Sequence, residues 1–125
     1  MKTVLLCDDN EDMLELTKLV LSSSGYQLVA VGDGTEAVRI CLETQPDLVL
    51  MDIRMPNMDG FTAIRTLRSE GYDKPIVILT GSEKQEDRAE AEKAGCNAYV
   101  LKTMDMNEVV EVLDQYLAEA GGGLE

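Results

Sequence analysis

The segment Leu48–Gly60, LVLMDIRMPNMDG, decides how this chain is read. Four apolar residues in succession suit a strand buried on both faces, as in a parallel sheet covered by helices. The run ends abruptly at Asp52, and Pro56, Asn57, Asp59 and Gly60 mark the loop that follows. An acid in that place emerges at the carboxyl edge of the sheet, where open α/β sheets bind ligands. Asp is also common as a turn residue, so the segment alone leaves the two readings level.

Working outward, the same pattern repeats. Before the segment, Thr3–Cys7 reads as a first strand ending in Asp8-Asp9-Asn10, and a helix over Glu11–Ser23 follows it. Asp9 or Asn10 can cap that helix, with Glu11 and Asp12 in its positive first turn. Its inward stripe is expected to be Met13, Leu16 and Val20, with Leu14 and Leu21 beside them. Tyr26–Val31 reads as strand two, and a helix over Thr35–Thr44 turns Ala37, Val38, Cys41 and Leu42 inward until Pro46 bars its continuation. After the segment, Phe61–Glu70 carries Phe61, Ile64 and Leu67 at helical spacing, and Pro75–Leu79 is a fourth strand ending in Thr80-Gly81-Ser82. The helix expected over Lys84–Ala94 has only Ala89, Ala91 and Ala94 as apolar residues. At about 25 cal/mol per Å² of buried apolar surface, it is the least firmly held element. Ala98–Leu101 is strand five, ending in Lys102, and a last helix over Met106–Ala118 buries Val109, Val110, Leu113 and Leu117.

Five strands alternating with five helices imply one parallel sheet with helices on both faces. A chain of 125 residues is a single domain; residues 1–120 are assigned to it, and 121–125 to a linker or appended tail. The net charge of −13 argues against direct contact with nucleic acid or an anionic membrane. Three separated cysteines, Cys7, Cys41 and Cys96, offer no zinc or disulfide pattern and suit buried thiols in a cytoplasmic protein. Lys2 precedes only a short apolar run, so no signal peptide is expected, and nothing reaches transmembrane length. With no histidine at all, Ser-His and Cys-His nucleophiles are excluded. Carboxylates, hydroxyls and lysine must carry any chemistry.

In a parallel sheet all carboxyl ends share one edge. Asp8 and Asp9 leave strand one there, Asp52 strand three, Thr80 strand four and Lys102 strand five. Each has an ordinary explanation as a cap, a turn residue or a surface charge; the combination is harder to dismiss. Clustered carboxylates repel unless a cation neutralises them, and Mg²⁺, a hard ion with oxygen ligands and retained waters, fits. The ion and Lys102 would surround Asp52 with positive charge suited to a phosphoryl group. An aspartate can accept that group as nucleophile.

The acidic pair Asp8-Asp9, the DIRMPNMDG segment around Asp52, and Thr80, Tyr99 and Lys102 in that order resemble the receiver domain of bacterial two-component response regulators. The likeness runs over essentially Met1–Ala120. It implies a flavodoxin-like fold with strand order 2-1-3-4-5. It also implies that Asp52 takes a phosphoryl group from the phosphohistidine of a histidine kinase or histidine phosphotransfer protein. Asp9, Asp52 and the backbone carbonyl of Arg54 would ligate Mg²⁺, with Asp8 acting through water. Lys102 would pair with a phosphoryl oxygen and Thr80 would hydrogen-bond another. Tyr99 would move from an exposed to a buried rotamer and alter the face of helix four, strand five and helix five, where a downstream protein docks. Arg54 and Ser82, two residues beyond Asp52 and Thr80, would set the adduct's lifetime. Such a domain is a regulatory phosphoacceptor rather than an enzyme, catalysing at most its own phosphorylation and slow dephosphorylation.

One position departs from the family pattern: Thr103 stands where proline, often after a cis bond, usually follows the lysine. A non-proline cis peptide costs about 3–4 kcal/mol, so a trans bond is expected. Three rivals are weaker. A haloacid-dehalogenase-like phosphatase needs a DxD motif after strand one, where this chain has Asp8-Asp9-Asn10. A flavodoxin needs a hydroxyl- and glycine-rich phosphate loop where this chain has DDNED. A degenerate receiver would lack some of the reactive residues, all of which are present. Lastly, no Lys or Arg follows Lys102, and helix five carries Glu108, Glu111, Asp114 and Glu119. Like charges there oppose self-association, so a monomer is expected.

Overall fold

The computed structural model describes residues 2–103 and 105–122. The chain alternates β1 (Thr3–Cys7), α1 (Glu11–Ser23), β2 (Gln27–Val31), α2 (Gly34–Thr44), β3 (Leu48–Met51), α3 (Gly60–Ser69), β4 (Ile76–Thr80), α4 (Gln85–Ala94), β5 (Ala98–Leu101) and α5 (Met106–Gly122). All strand pairs are parallel, and the sheet order is β2-β1-β3-β4-β5. This is the doubly wound arrangement expected from the sequence.

Alternate strand residues point to opposite faces, and the core divides accordingly. Leu5, Val49, Met51, Ile76 and Ile78 pack with Ala37 and Cys41 of α2, Ile64 and Leu67 of α3, and Ala91 and Ala94 of α4. Val4, Leu6, Leu48, Leu50, Val77 and Leu79 pack with Leu21 of α1 and Val109, Leu113 and Leu117 of α5. The sheet is the wall between these two clusters. Tyr72 is the aromatic exception in an aliphatic interior: it is buried, and its hydroxyl donates to the Pro46 carbonyl at 2.8 Å.

Helix starts follow local chemistry. Asn10 accepts from the Met13 N–H, Asp33 from Thr35 and Glu36, and Asp59 from Thr62. Two details differ from the sequence reading. In α1 the inward positions are Thr17 and Leu21, flanked by Met13, Leu14 and Val20, while Leu16 is 44 % exposed and Leu19 70 %. Six apolar residues spread around this helix leave its phase open to periodicity, and packing selects the face that includes the small Thr17. At the other end, α5 continues past the expected stop at Ala118 to Gly122. Glycine's disadvantage of about 1 kcal/mol relative to alanine does not end a helix already propagating. Of the expected tail, Gly123–Glu125 lie outside the described residues.

Backbone approach, rather than turn geometry, dictates two glycines. A Cβ on Gly34 would lie 1.8 Å from the Met58 carbonyl oxygen, and one on Gly60 would lie 2.4 Å from the Asp52 carbonyl oxygen. Gly34 also donates its N–H to the Pro56 carbonyl at 3.3 Å, and the Asn57 amide donates to the Asp33 carboxylate. The start of α2 therefore clamps the loop that leaves Asp52.

Candidate functional site

Register brings the acidic residues together. Cys7 pairs with Met51 across β1 and β3, so the next residue of each strand, Asp8 and Asp52, emerges at the same level. The Asp52 N–H donates to the Cys7 carbonyl at 2.8 Å and the Asp8 N–H to the Val31 carbonyl at 3.1 Å, fixing both exits. Across the sheet Thr80 pairs with Leu101, and the Lys102 N–H donates to the Thr80 carbonyl at 2.8 Å. The C-terminal edges of β1, β3 and β5 thus supply every charged member, and β4 between them supplies Thr80.

Carboxylate oxygens of Asp8, Asp9 and Asp52 lie within 4.8 Å of one another. Asp8 and Asp52 are buried and Asp9 is exposed. Lys102 reaches into the cluster, its Nζ 2.9 Å from Asp8 Oδ2 and 3.3 Å from Asp52 Oδ2. The remaining oxygens are held by the main chain: Asp8 Oδ1 accepts from the Asn10 N–H at 2.9 Å, and Asp52 Oδ1 from the Ile53 N–H at 2.8 Å. Burial raises the Asp52 pKa, and the neighbouring Asp8 charge raises it further, partly offset by Lys102. Burial alone would depress Lys102, but its hydrogen bond to Asp8 and the charges of Asp52 and Asp8 outweigh this and hold the ammonium above its usual range. Two carboxylates against one ammonium leave an uncompensated negative charge in a half-closed pocket. The donor set, three carboxylates with open access, is one that a hard divalent cation with retained waters fits.

Beside this cluster opens a cleft of about 460 Å³, lined by Asp52, Arg54, Thr80, Ser82, Lys84 and Lys102. Thr80 is buried, and its Oγ1 accepts from the Ser82 N–H at 3.3 Å. Tyr99 is partly buried, and its hydroxyl donates to the Ser82 carbonyl at 2.9 Å. Of the residues singled out in the sequence, Asp52, Arg54, Thr80, Ser82 and Lys102 line this cleft, Asp8 and Asp9 join Asp52 in the carboxylate cluster, and Tyr99 is bonded to Ser82. Arg54 lies on the rim of the cleft with an exposed side chain. No peptide bond among the described residues is cis, so the Lys102–Thr103 bond is trans as expected. Two neighbours escaped the sequence reading. Asp87 accepts a hydrogen bond from Ser82 Oγ, and the Arg88 guanidinium stacks 4.7 Å above the centre of the Tyr99 ring. Nothing in the spacing of α4 announces either contact.

The family model described as the response regulator receiver domain matches residues 4–114. Among curated proteins, the transcriptional regulatory protein TcrX of Mycobacterium tuberculosis is 34% identical over 95% of this chain and 51% of its own length. The polar-differentiation response regulator DivK of Brucella anthropi is 29% identical over 95% of this chain and 98% of its own. The chain thus spans about half the length of some curated relatives and nearly all of another. Among solved structures, the receiver domain of the sensor histidine kinase PA1611 of Pseudomonas aeruginosa, described with magnesium coordinated in its active-site cleft, superposes with a TM-score of 0.87. It is 34% identical, and the alignment covers 94% of this chain and 98% of that one. Among the described residues, no helix is long and apolar enough to cross a membrane.

Proposed function

Because the chain belongs to the response regulator receiver domain family, we propose that it accepts a phosphoryl group on Asp52 and passes the signal on through a change of surface. The observation that carries this reading is the cluster itself: three carboxylates within 4.8 Å, one ammonium on two of them, and an open cleft alongside. Asp9, Asp52 and the Arg54 carbonyl would hold Mg²⁺, with Asp8 acting through water. Bound there, the ion would supply the positive charge that the cluster lacks and neutralise phosphoryl oxygens.

In the transfer, a carboxylate oxygen of Asp52 attacks phosphorus in line with the leaving nitrogen of a partner's phosphohistidine. The O–P bond forms and the P–N bond breaks, giving an acyl phosphate and a free imidazole. The carboxylate must be ionised to attack, and Lys102 opposes the burial that disfavours that form. As charge moves to the phosphoryl oxygens, the Lys102 ammonium pairs with one and the Thr80 hydroxyl donates to another. Arg54 and Ser82 flank the approach of the hydrolytic water and set the lifetime of the adduct. Tyr99, tied to the Ser82 carbonyl, carries the change to the face of α4, β5 and α5, where a downstream protein docks. A histidine kinase or histidine phosphotransfer protein is the donor.

Incubation with a small phosphodonor and Mg²⁺ should add one phosphoryl mass to the protein. The adduct should be stable in acid, labile in base, and missing from Asp52→Ala. An adduct of equal yield in that variant would move the nucleophile elsewhere.

The domain works as a monomer in this reading. Glu108, Glu111 and Asp114 are exposed along α5, and the chain has no Lys or Arg after Lys102 to oppose them. Asp114 is partly engaged, accepting from the Tyr26 hydroxyl of the same molecule. Sedimentation should give one monomeric species with and without beryllofluoride as phosphoryl mimic. A mimic-dependent dimer would show that this charge does not govern assembly.

A further inference from the structure

We propose that Asp87 and Arg88 of α4 are positioning residues that hold Tyr99 inward, against the β4–α4 connection. The inference rests on the reading of Tyr99 as the element that reports on the Asp52 cleft, and it names what stabilises that element's inward position. It starts from how little else holds α4. Only Ala91 and Ala94 of this helix are buried, and its N-cap residue Lys84 makes no side-chain capping bond. An Arg65–Glu90 ion pair at 2.6 Å joins α4 to α3 on an exposed flank, where such pairs contribute little.

At the N-terminal end of α4 the contacts are different in kind. Ser82 is a node with four bonds. Its N–H donates to Thr80 Oγ1 at 3.3 Å, its carbonyl accepts from the Tyr99 hydroxyl at 2.9 Å, and its Oγ donates to Asp87 and accepts from the Lys84 N–H at 3.3 Å. Arg88, the residue after Asp87, lays its guanidinium over the same Tyr99 ring, 4.7 Å from its centre. Arg88 makes no ion pair among the described residues, so the ring is the partner its charge has. The tyrosine is consequently gripped at both ends: the hydroxyl by the connection that carries Thr80, the ring face by the helix that the connection leads into. For the ring to swing out, the hydroxyl must leave Ser82 and the guanidinium must lift. Removing either residue of the Asp87–Arg88 pair should shift the ring's equilibrium outward, because only differential contacts move a two-state balance.

The test reads the ring directly. In protein labelled with 3-fluorotyrosine, the Tyr99 ¹⁹F signal, assigned with Tyr99→Phe, should sit away from the free-tyrosine position in the unphosphorylated wild type. It should move toward that position in Arg88→Ala and in Asp87→Ala. Adduct formation with acetyl phosphate should slow about three- to tenfold in the same variants, the factor expected for losing a cation–π contact or one charge-assisted hydrogen bond. Arg88→Lys keeps the charge without the planar stack and should give an intermediate signal; it decides the matter if Arg88→Ala does not fold. An unmoved Tyr99 signal in both alanine variants, or in Arg88→Lys as the substitute, overturns the proposal. The ring signal needs no phosphodonor, so a wild type that forms no adduct would remove the phosphoacceptor reading and still leave the positioning claim decided by the ¹⁹F shift.

Discussion

Gly34→Ala is expected to destabilise the protein by about 2–4 kcal/mol, at the high end for a single added methyl. The added carbon would sit 1.8 Å from the Met58 carbonyl oxygen and 2.9 Å from Met58 Cβ. Both belong to the loop between β3 and α3, and no rotamer change of a neighbouring side chain can move a carbonyl aside. Relief requires that the loop retreat by more than 1 Å, roughly the gap to an ordinary contact. That motion would break the Gly34–Pro56 main-chain bond and strain the Asn57–Asp33 bond, with Asn57 already at a left-handed φ of 68°. The same loop begins at Asp52 and carries Arg54, so the adduct should also form more slowly. Gly81 provides the control: it has no positive φ, and a Cβ there would meet nothing within 4 Å. Urea titration of Gly34→Ala and Gly81→Ala separates the steric argument from glycine's general effects. Equal midpoints for the two variants would refute the clamp.

Lys102→Met should be the other large perturbation, and one that metal reverses. The side chain of Lys102 is 20 % exposed and those of Asp8 and Asp52 about a tenth, so the ammonium compensates two poorly solvated carboxylates. Leaving such charges unpaired costs about 3–5 kcal/mol when burial is complete; with partial exposure here, about 2–4 kcal/mol is expected near neutral pH without metal. The pH dependence has a definite sign. Asp52 has its folded-state pKa raised, so the folded protein binds a proton more readily than the unfolded chain. Stability from this group is greatest at acidic pH and is lost as pH rises through its folded pKa; without Lys102 the loss should be steeper. Millimolar Mg²⁺ should raise the melting temperature of wild type by mass action and raise that of Lys102→Met more. Asp9→Ala should respond little. A wild-type melting temperature indifferent to Mg²⁺ would remove the cation from this cluster.

Much of this arrangement was legible in the sequence because it depends on strand ends. An apolar run that stops at a polar residue, four times over at Asp8, Asp52, Thr80 and Lys102, fixes both the parallel sheet and the edge where its loops gather. The register that levels Asp8 with Asp52 follows from β1 and β3 being neighbours, which the family resemblance implied and alternation alone did not. What stayed hidden depends on contacts between elements distant in sequence. Leu16 was expected inside and is exposed, and the buried Thr17 was not singled out, since a helix apolar on most sides carries no phase of its own. Tyr72 has no periodic partner; a single main-chain carbonyl, that of Pro46, gives its hydroxyl a place in the interior. Gly34 reads as an ordinary loop glycine until Met58 is placed against it. The grip of Asp87 and Arg88 on Ser82 and Tyr99 likewise exists only after α4 has been docked.

The sheet that separates the two apolar clusters has a consequence for how such a chain can diverge over generations. Side chains beneath α1 and α5 meet those beneath α2, α3 and α4 only through strand backbones, which do not change with substitution. A lineage can therefore remodel one layer, and with it the partners that layer recognises, while the other keeps its inherited shape. Substitutions on opposite sides should combine additively, whereas those sharing a side should depend on the order in which they arose.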